Sequence, residues 1–91
     1  MSLNSRDVTI CNARGLHARA AAKFIAIVND HDARVHVRRD DESVDASSIM
    51  DLLMLAAGQG SQINIAADGP DSDLVLEALV KLVEDRFDEG E

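Results

Sequence analysis

Three stretches of this chain repeat apolar residues at i, i+3, i+4 and i+7, and short runs that alternate apolar with polar residues lie between them. Those periods belong to helices with one apolar stripe and to strands with one wet face. The helical stretches are Ala21, Phe24, Ile25 and Val28; then Ile49, Leu52, Leu53 and Ala56; then Leu76, Leu79, Val80, Val83 and Phe87. Val35 and Val37 alternate with Arg34, His36 and Arg38, which predicts a half-buried strand. Val8-Thr9-Ile10, Ser43-Val44-Asp45 and Gln62 to Ala67, with Ile63 and Ile65 inward, supply three more strands. Turn signals separate these runs at Asn12 to Gly15, Asn29 to Asp32, Arg39 to Glu42 and Gly69 to Ser72. Gly58-Gln59-Gly60 is expected to end the second helix through a left-handed cap. The order is therefore β-α-β-β-α-β-α. Single-striped helices cover one face of a sheet, so the expected fold is α+β: an open-faced β-sandwich with a four-stranded, mostly antiparallel sheet and three helices on one face.

At 91 residues the chain reads as one domain, 1–91, with an ordered core from about residue 8 to residue 87. A short N-terminal segment precedes that core, and Glu84 to Glu91 reads as an acidic, fraying tail. Two phenylalanines, no tryptophan and no tyrosine leave an aliphatic interior. Seventeen acidic residues against nine basic ones give a net charge of −8, which argues against nucleic acid and anionic membrane as partners. No apolar run approaches the roughly 20 residues of a membrane span. The N-terminus lacks the basic and apolar segments of a secretory signal. The lone Cys11 fits a reducing compartment, so the expected location is the cytoplasm.

The stretch with the most chemistry is Gly15-Leu16-His17-Ala18-Arg19, where a strand's exit loop becomes a helix. A helix start presents unpaired amides and the positive end of the macrodipole, a setting for anions. The imidazole of His17 at that position is a candidate nucleophile. A phosphoryl group on the ring would sit against the backbone amides of Ala18 and Arg19, and the fork-shaped Arg19 suits phosphate oxygens. Gly15 permits a close approach beside the ring. Taken alone, the same residues also describe a solvated cap beside a surface arginine, the commoner case.

The run Asn12-Ala13-Arg14-Gly15-Leu16-His17-Ala18-Arg19-Ala20-Ala21-Ala22-Lys23-Phe24 resembles the active-site signature of the HPr-type histidine-containing phosphocarriers of the bacterial phosphotransferase system. Ser47 to Leu55 resembles that family's second helix, and Gly58 to Gly69 its following loop and strand. The likeness extends from about Val8 to Phe87. It implies the open-faced sandwich, and reversible phosphorylation of His17 on Nδ1. The phosphoryl group would come from phosphoenolpyruvate through enzyme I and pass to an enzyme IIA-type protein. Arg19 matches the family's phosphate-stabilising arginine. Most members carry proline where this chain has Ala20; alanine sustains the helix with a looser entry.

Ser48 precedes the second helical stretch with Asp51 three residues on, a weak capping box. The resemblance adds a regulatory phosphorylation site there, served in some bacteria by an HPr kinase/phosphorylase. Ile49, Met50 and Met54 are candidate partner contacts, with the Ile49 stripe also expected to reach the core. Two other readings stand beside the carrier: a regulatory binding module acting through the second helix, and a small phosphohydrolase with Arg19 and Asn12 positioning anion and water. No cofactor is implied. His31 and His36 lack partners at metal-ligand spacing, so no metal site is expected. A Cys11–His17 nucleophile pair lacks a group to orient the base.

Overall fold

The computed structural model describes residues 3–88. Its elements are β1 (Leu3–Thr9), α1 (Ala18–Asn29), β2 (Arg34–Arg39), β3 (Glu42–Asp45), α2 (Ile49–Met54), β4 (Gln62–Asp68) and α3 (Ser72–Glu84), then one 3-10 turn, Arg86–Asp88. The four strands form one sheet in the order β1-β4-β2-β3, with every neighbouring pair antiparallel. This is the open-faced sandwich expected from the periodicities.

The inward residues stack in register across the sheet. Val8 faces Ile63, Ile65 faces Val37, and Val37 faces Val44. Against them lie Ala21, Phe24 and Val28 of α1, Leu52 of α2, and Val75, Leu79 and Val83 of α3, all buried. Arg34, His36 and Arg38 point to the uncovered side and are exposed. The alternation in β2 therefore reports burial faithfully, and the stripes of α1 and α3 do so except at Ile25 and Val80, which are only partly buried.

Four details differ from the sequence-based expectation. β1 reaches back to Leu3, where Asn4 to Asp7 are polar. Backbone pairing to β4 makes that stretch a strand, together with side-chain ties: Asn64 Nδ2 donates to Asp7 Oδ1 at 2.9 Å, and Asn4 Nδ2 to Ser72 Oγ at 3.1 Å. The second helix stops at Met54, before Gly58. Ala56 takes the left-handed position, at φ 52°, and Leu55 is its C-cap. The guanidinium of Arg39 completes that end, Nη1 donating to the carbonyls of Leu55 at 3.0 Å and Ala56 at 3.2 Å. Ile49 is not core: it is 41% exposed, because a helix of one and a half turns buries only the line through Leu52.

Phe87 departs furthest. It continues the stripe of α3 in sequence, yet the helix has ended and Arg86, Phe87 and Asp88 all adopt left-handed dihedrals. Such backbone disfavours residues with a Cβ. Here it swings the Phe87 ring into full burial, and Lys23 Nζ of α1 donates to its carbonyl at 2.6 Å. The segment is thus a docked end as far as Asp88. The rest of the expected acidic tail, Glu89 to Glu91, lies outside the described residues, as do Met1 and Ser2. Among the described residues no helix is long and apolar enough to cross a membrane.

Candidate functional site

His17 is the N-cap of α1. Its backbone is extended (φ −83°, ψ 179°) and its carbonyl accepts the amide of Ala21 at 2.8 Å, the first helical bond. The first-turn amides of an α-helix have no acceptor within the helix. No side chain caps them here, and the first turn contains no carboxylate. The usual capping serine or aspartate is replaced by a half-buried imidazole standing where the helix is most positive. Ala18 and Arg19, the next two residues, are exposed. Ala20 is fully buried within an unbroken helix.

The loop that presents His17 is held by the segment between α2 and β4. The Leu16 amide donates to the Ala57 carbonyl at 2.9 Å. Gly15, at φ +68°, lies so close that a Cβ there would come within 2.7 Å of both the Ala57 carbonyl oxygen and the Gly58 Cα. Further back, the Gly60 amide donates to the Ile10 carbonyl and the Ile10 amide to the Ser61 carbonyl, each at 2.8 Å. Gln59 Nε2 reaches the Cys11 carbonyl at 3.3 Å. Asn12, a candidate phosphate or water contact by sequence, is instead inside the loop: it is fully buried, with Nδ2 donating to the Gly15 carbonyl at 2.8 Å. These contacts make the approach to His17 a two-loop bracket.

Cys11 is half-buried beside α3, its Sγ 3.3 Å from the Val83 carbonyl, and so belongs to the packing of the α3 end. Among the described residues no group of three or more His, Cys, Asp or Glu side chains is placed to hold a metal ion. His36 pairs loosely with Asp45 across β2 and β3 at 4.0 Å, and His31 Nδ1 contacts the Ile27 carbonyl at 2.7 Å.

Ser48 caps α2 as its spacing predicts, Oγ accepting the Asp51 amide at 3.3 Å. Met50 and Met54 are 67% and 69% exposed. Together with Ile49 they put three of the four large exposed hydrophobic side chains, among the described residues, on one six-residue helix. That helix packs on α1, and the segment following it touches the His17 loop.

Two features escaped the reading of the sequence. The contact of Gly15 and Leu16 with Ala57 and Gly58 carries no local signal, because the two pairs lie far apart in the chain. The charge pattern did carry one: no carboxylate occurs from Val8 through Asn29, while Arg14, Arg19 and Lys23 do. In a chain of net charge −8 the segment around His17 is locally cationic.

The chain is similar to known proteins over nearly its whole length. The family model described as "PTS HPr component phosphorylation site" matches residues 4–85. The chain is 49% identical to the phosphocarrier protein HPr of Pseudomonas aeruginosa, over 93% of this chain and 96% of that protein. It is 40% identical to the phosphocarrier protein NPr of Shewanella violacea, over 99% of both. The crystal structure of HPr-C-His from Thermoanaerobacter tengcongensis superposes with a TM-score of 0.90 at 35% identity, covering 94% of this chain and 97% of that one.

The bracket makes a stability prediction. Gly15→Ala combines a left-handed alanine with overpacking against backbone and should cost about 2–4 kcal/mol in urea unfolding. Gly60→Ala, at φ +89° with open space around the added carbon, should cost only about 1 kcal/mol. Equal losses for the two variants would show that Gly15 is not pressed against the Ala57–Gly58 segment.

Proposed function

The chain belongs to the HPr family of phosphocarriers of the phosphotransferase system, and from that premise we propose that it accepts a phosphoryl group on His17 from enzyme I and passes it to an enzyme IIA-type protein. The observation that carries this reading is the placement of His17: a half-exposed imidazole at the N-cap of α1, beside first-turn amides that no side chain caps. In the forward step a lone pair of the ring nitrogen, Nδ1 in the family, attacks phosphorus. The bond from phosphorus to the donor atom on enzyme I breaks, and its electron pair stays with the donor. The reverse sequence delivers the group to the acceptor protein. The amides of Ala18 and Arg19 and the Arg19 guanidinium receive the phosphoryl oxygens, an arrangement that favours anions at helix starts.

A carrier must be completed by each partner in turn, so its nucleophile belongs on a surface rather than in a deep pocket. The exposed Ile49, Met50 and Met54 give α2 an adaptable apolar patch next to the His17 loop, suited to docking enzyme I and the acceptor. Ser48 at the start of α2 is the proposed regulatory position, the substrate of a kinase of the HPr kinase/phosphorylase type. A phosphate there is tolerated by the helix start and adds negative charge beside the docking patch. Asn12 serves the site from beneath, as the brace of the loop. The same reading places the carrier in the cytoplasm and needs no cofactor.

Incubation with enzyme I and radiolabelled phosphoenolpyruvate tests this directly. Label should stop at one acid-labile phosphoryl group per chain. His17→Ala should abolish labelling without loss of fold. Arg19→Ala should slow it by about 10- to 100-fold, as expected for removing a charge-assisted contact. Label that survives in the His17 variant, or steady release of free phosphate, would overturn the carrier reading in favour of another site or a hydrolase.

For the regulatory position, Ser48→Asp should raise the KM for enzyme I while circular dichroism stays unchanged. An unaltered KM would leave Ser48 as a helix cap only.

A further inference from the structure

The segment that holds the His17 loop has no regular structure of its own. After Met54 the chain passes through Leu55 and then Ala56, whose φ of 52° is unfavourable for a residue with a Cβ. The next residue is Ala57, whose carbonyl receives the Leu16 amide at 2.9 Å and whose oxygen, with the Gly58 Cα, abuts Gly15. The orientation of one peptide unit in a seven-residue connection thus bears on the backbone immediately before His17. Glycine or asparagine would be the ordinary residue for the left-handed step, and here it is alanine. The Ala56 amide donates back to the Leu53 carbonyl at 3.0 Å, and a side chain from outside the segment adds to that hold.

Arg39 does so. It sits at the end of β2, half-buried, and its Nη1 donates to both carbonyls that flank the left-handed step, Leu55 at 3.0 Å and Ala56 at 3.2 Å. A cation there also meets the negative end of α2. A planar guanidinium carries two hydrogens on Nη1 in a fixed geometry, so both carbonyls are held at once, which a flexible ammonium does less well. The path from sheet to nucleophile is then short, two hydrogen-bonded steps alternating with two covalent ones: Arg39 to Leu55 and Ala56, along the chain to Ala57, across one hydrogen bond to Leu16, and along the chain to His17.

We propose that Arg39 is a positioning residue for phosphoryl acceptance, setting the attitude of His17 and of the first-turn amides of α1 through the Ala57–Leu16 hydrogen bond. The proposal rests on the carrier reading above for its functional half. Its structural half stands on the contacts alone.

The test compares wild type, Arg39→Lys and Arg39→Met. Amide hydrogen exchange is followed at Leu16, with Ile65 and Val75 as core references, and labelling by enzyme I is measured as separate kcat and KM. In Arg39→Met, Leu16 should exchange about tenfold faster relative to Ile65 and Val75, the loss expected when a local hydrogen-bonded unit opens. Its kcat should fall several-fold while the KM for enzyme I stays within about twofold, since the α2 patch that docks the partner is untouched. Arg39→Lys should recover part of both effects. Unchanged exchange at Leu16, equal acceleration at all three amides, or faster Leu16 exchange with unchanged kcat would each overturn the proposal. If wild type takes no label at all, the carrier reading falls, and the exchange at Leu16 still decides whether Arg39 holds the bracket.

Discussion

The amide of Leu16 donating to the carbonyl of Ala57 is the contact on which the site depends. A helix start is ordinarily fixed by its own cap: a serine, threonine or aspartate side chain takes up a first-turn amide and is worth about 1 kcal/mol. α1 forgoes that, because its N-cap is His17 and no side chain closes the first turn. The entry of the chain must be set from elsewhere. The connection after α2 does this, through one hydrogen bond to Leu16, through direct packing on Gly15, and through further backbone bonds at Ile10. The result leaves amides available at the end of a helix whose approach is nonetheless rigid.

Charge is distributed to match. The chain carries seventeen acidic residues, and none falls between Val8 and Asn29. A carboxylate near His17 would compete for the amides and repel an incoming phosphoryl group. The first loop and helix carry Arg14, Arg19 and Lys23 and no acid, a cationic segment in an anionic chain. Next to it α2 contributes contact rather than chemistry: it buries Leu52 and leaves Ile49, Met50 and Met54 largely uncovered. On the proposed carrier reading, reaction and recognition would divide between two adjoining helices.

Much of this was legible from residue order. The periods of α1, β2, β4 and α3 placed Phe24, Val35, Val37, Ile63, Ile65 and Leu79 in the core, and all six are buried. His17 at a helix start and Ser48 as a cap followed from local spacing. The misreadings share a cause. β1 from Leu3 to Asp7 is made by pairing with β4, so its polar residues give no alternation. The end of α2 was assigned to the glycines because left-handed alanine is unusual, and Ala56 is sustained by Arg39 from another strand. Phe87 keeps helical spacing from Val83 although the backbone has already reversed its hand. Each is settled by contacts between residues far apart in the chain. The same holds for the bracket at Leu16 and Ala57, which no local pattern announces.

On the proposed reading, the amides of Ala18 and Arg19 at the start of α1 take up the anion that His17 receives. Amide proton and nitrogen chemical shifts, measured before and after phosphorylation of the uniformly labelled protein, test it most directly. Ala18 and Arg19 should move strongly downfield on phosphorylation, while sheet amides such as Ile65 stay in place. Phosphorylation at His17 with the Ala18 and Arg19 amides unmoved would contradict it.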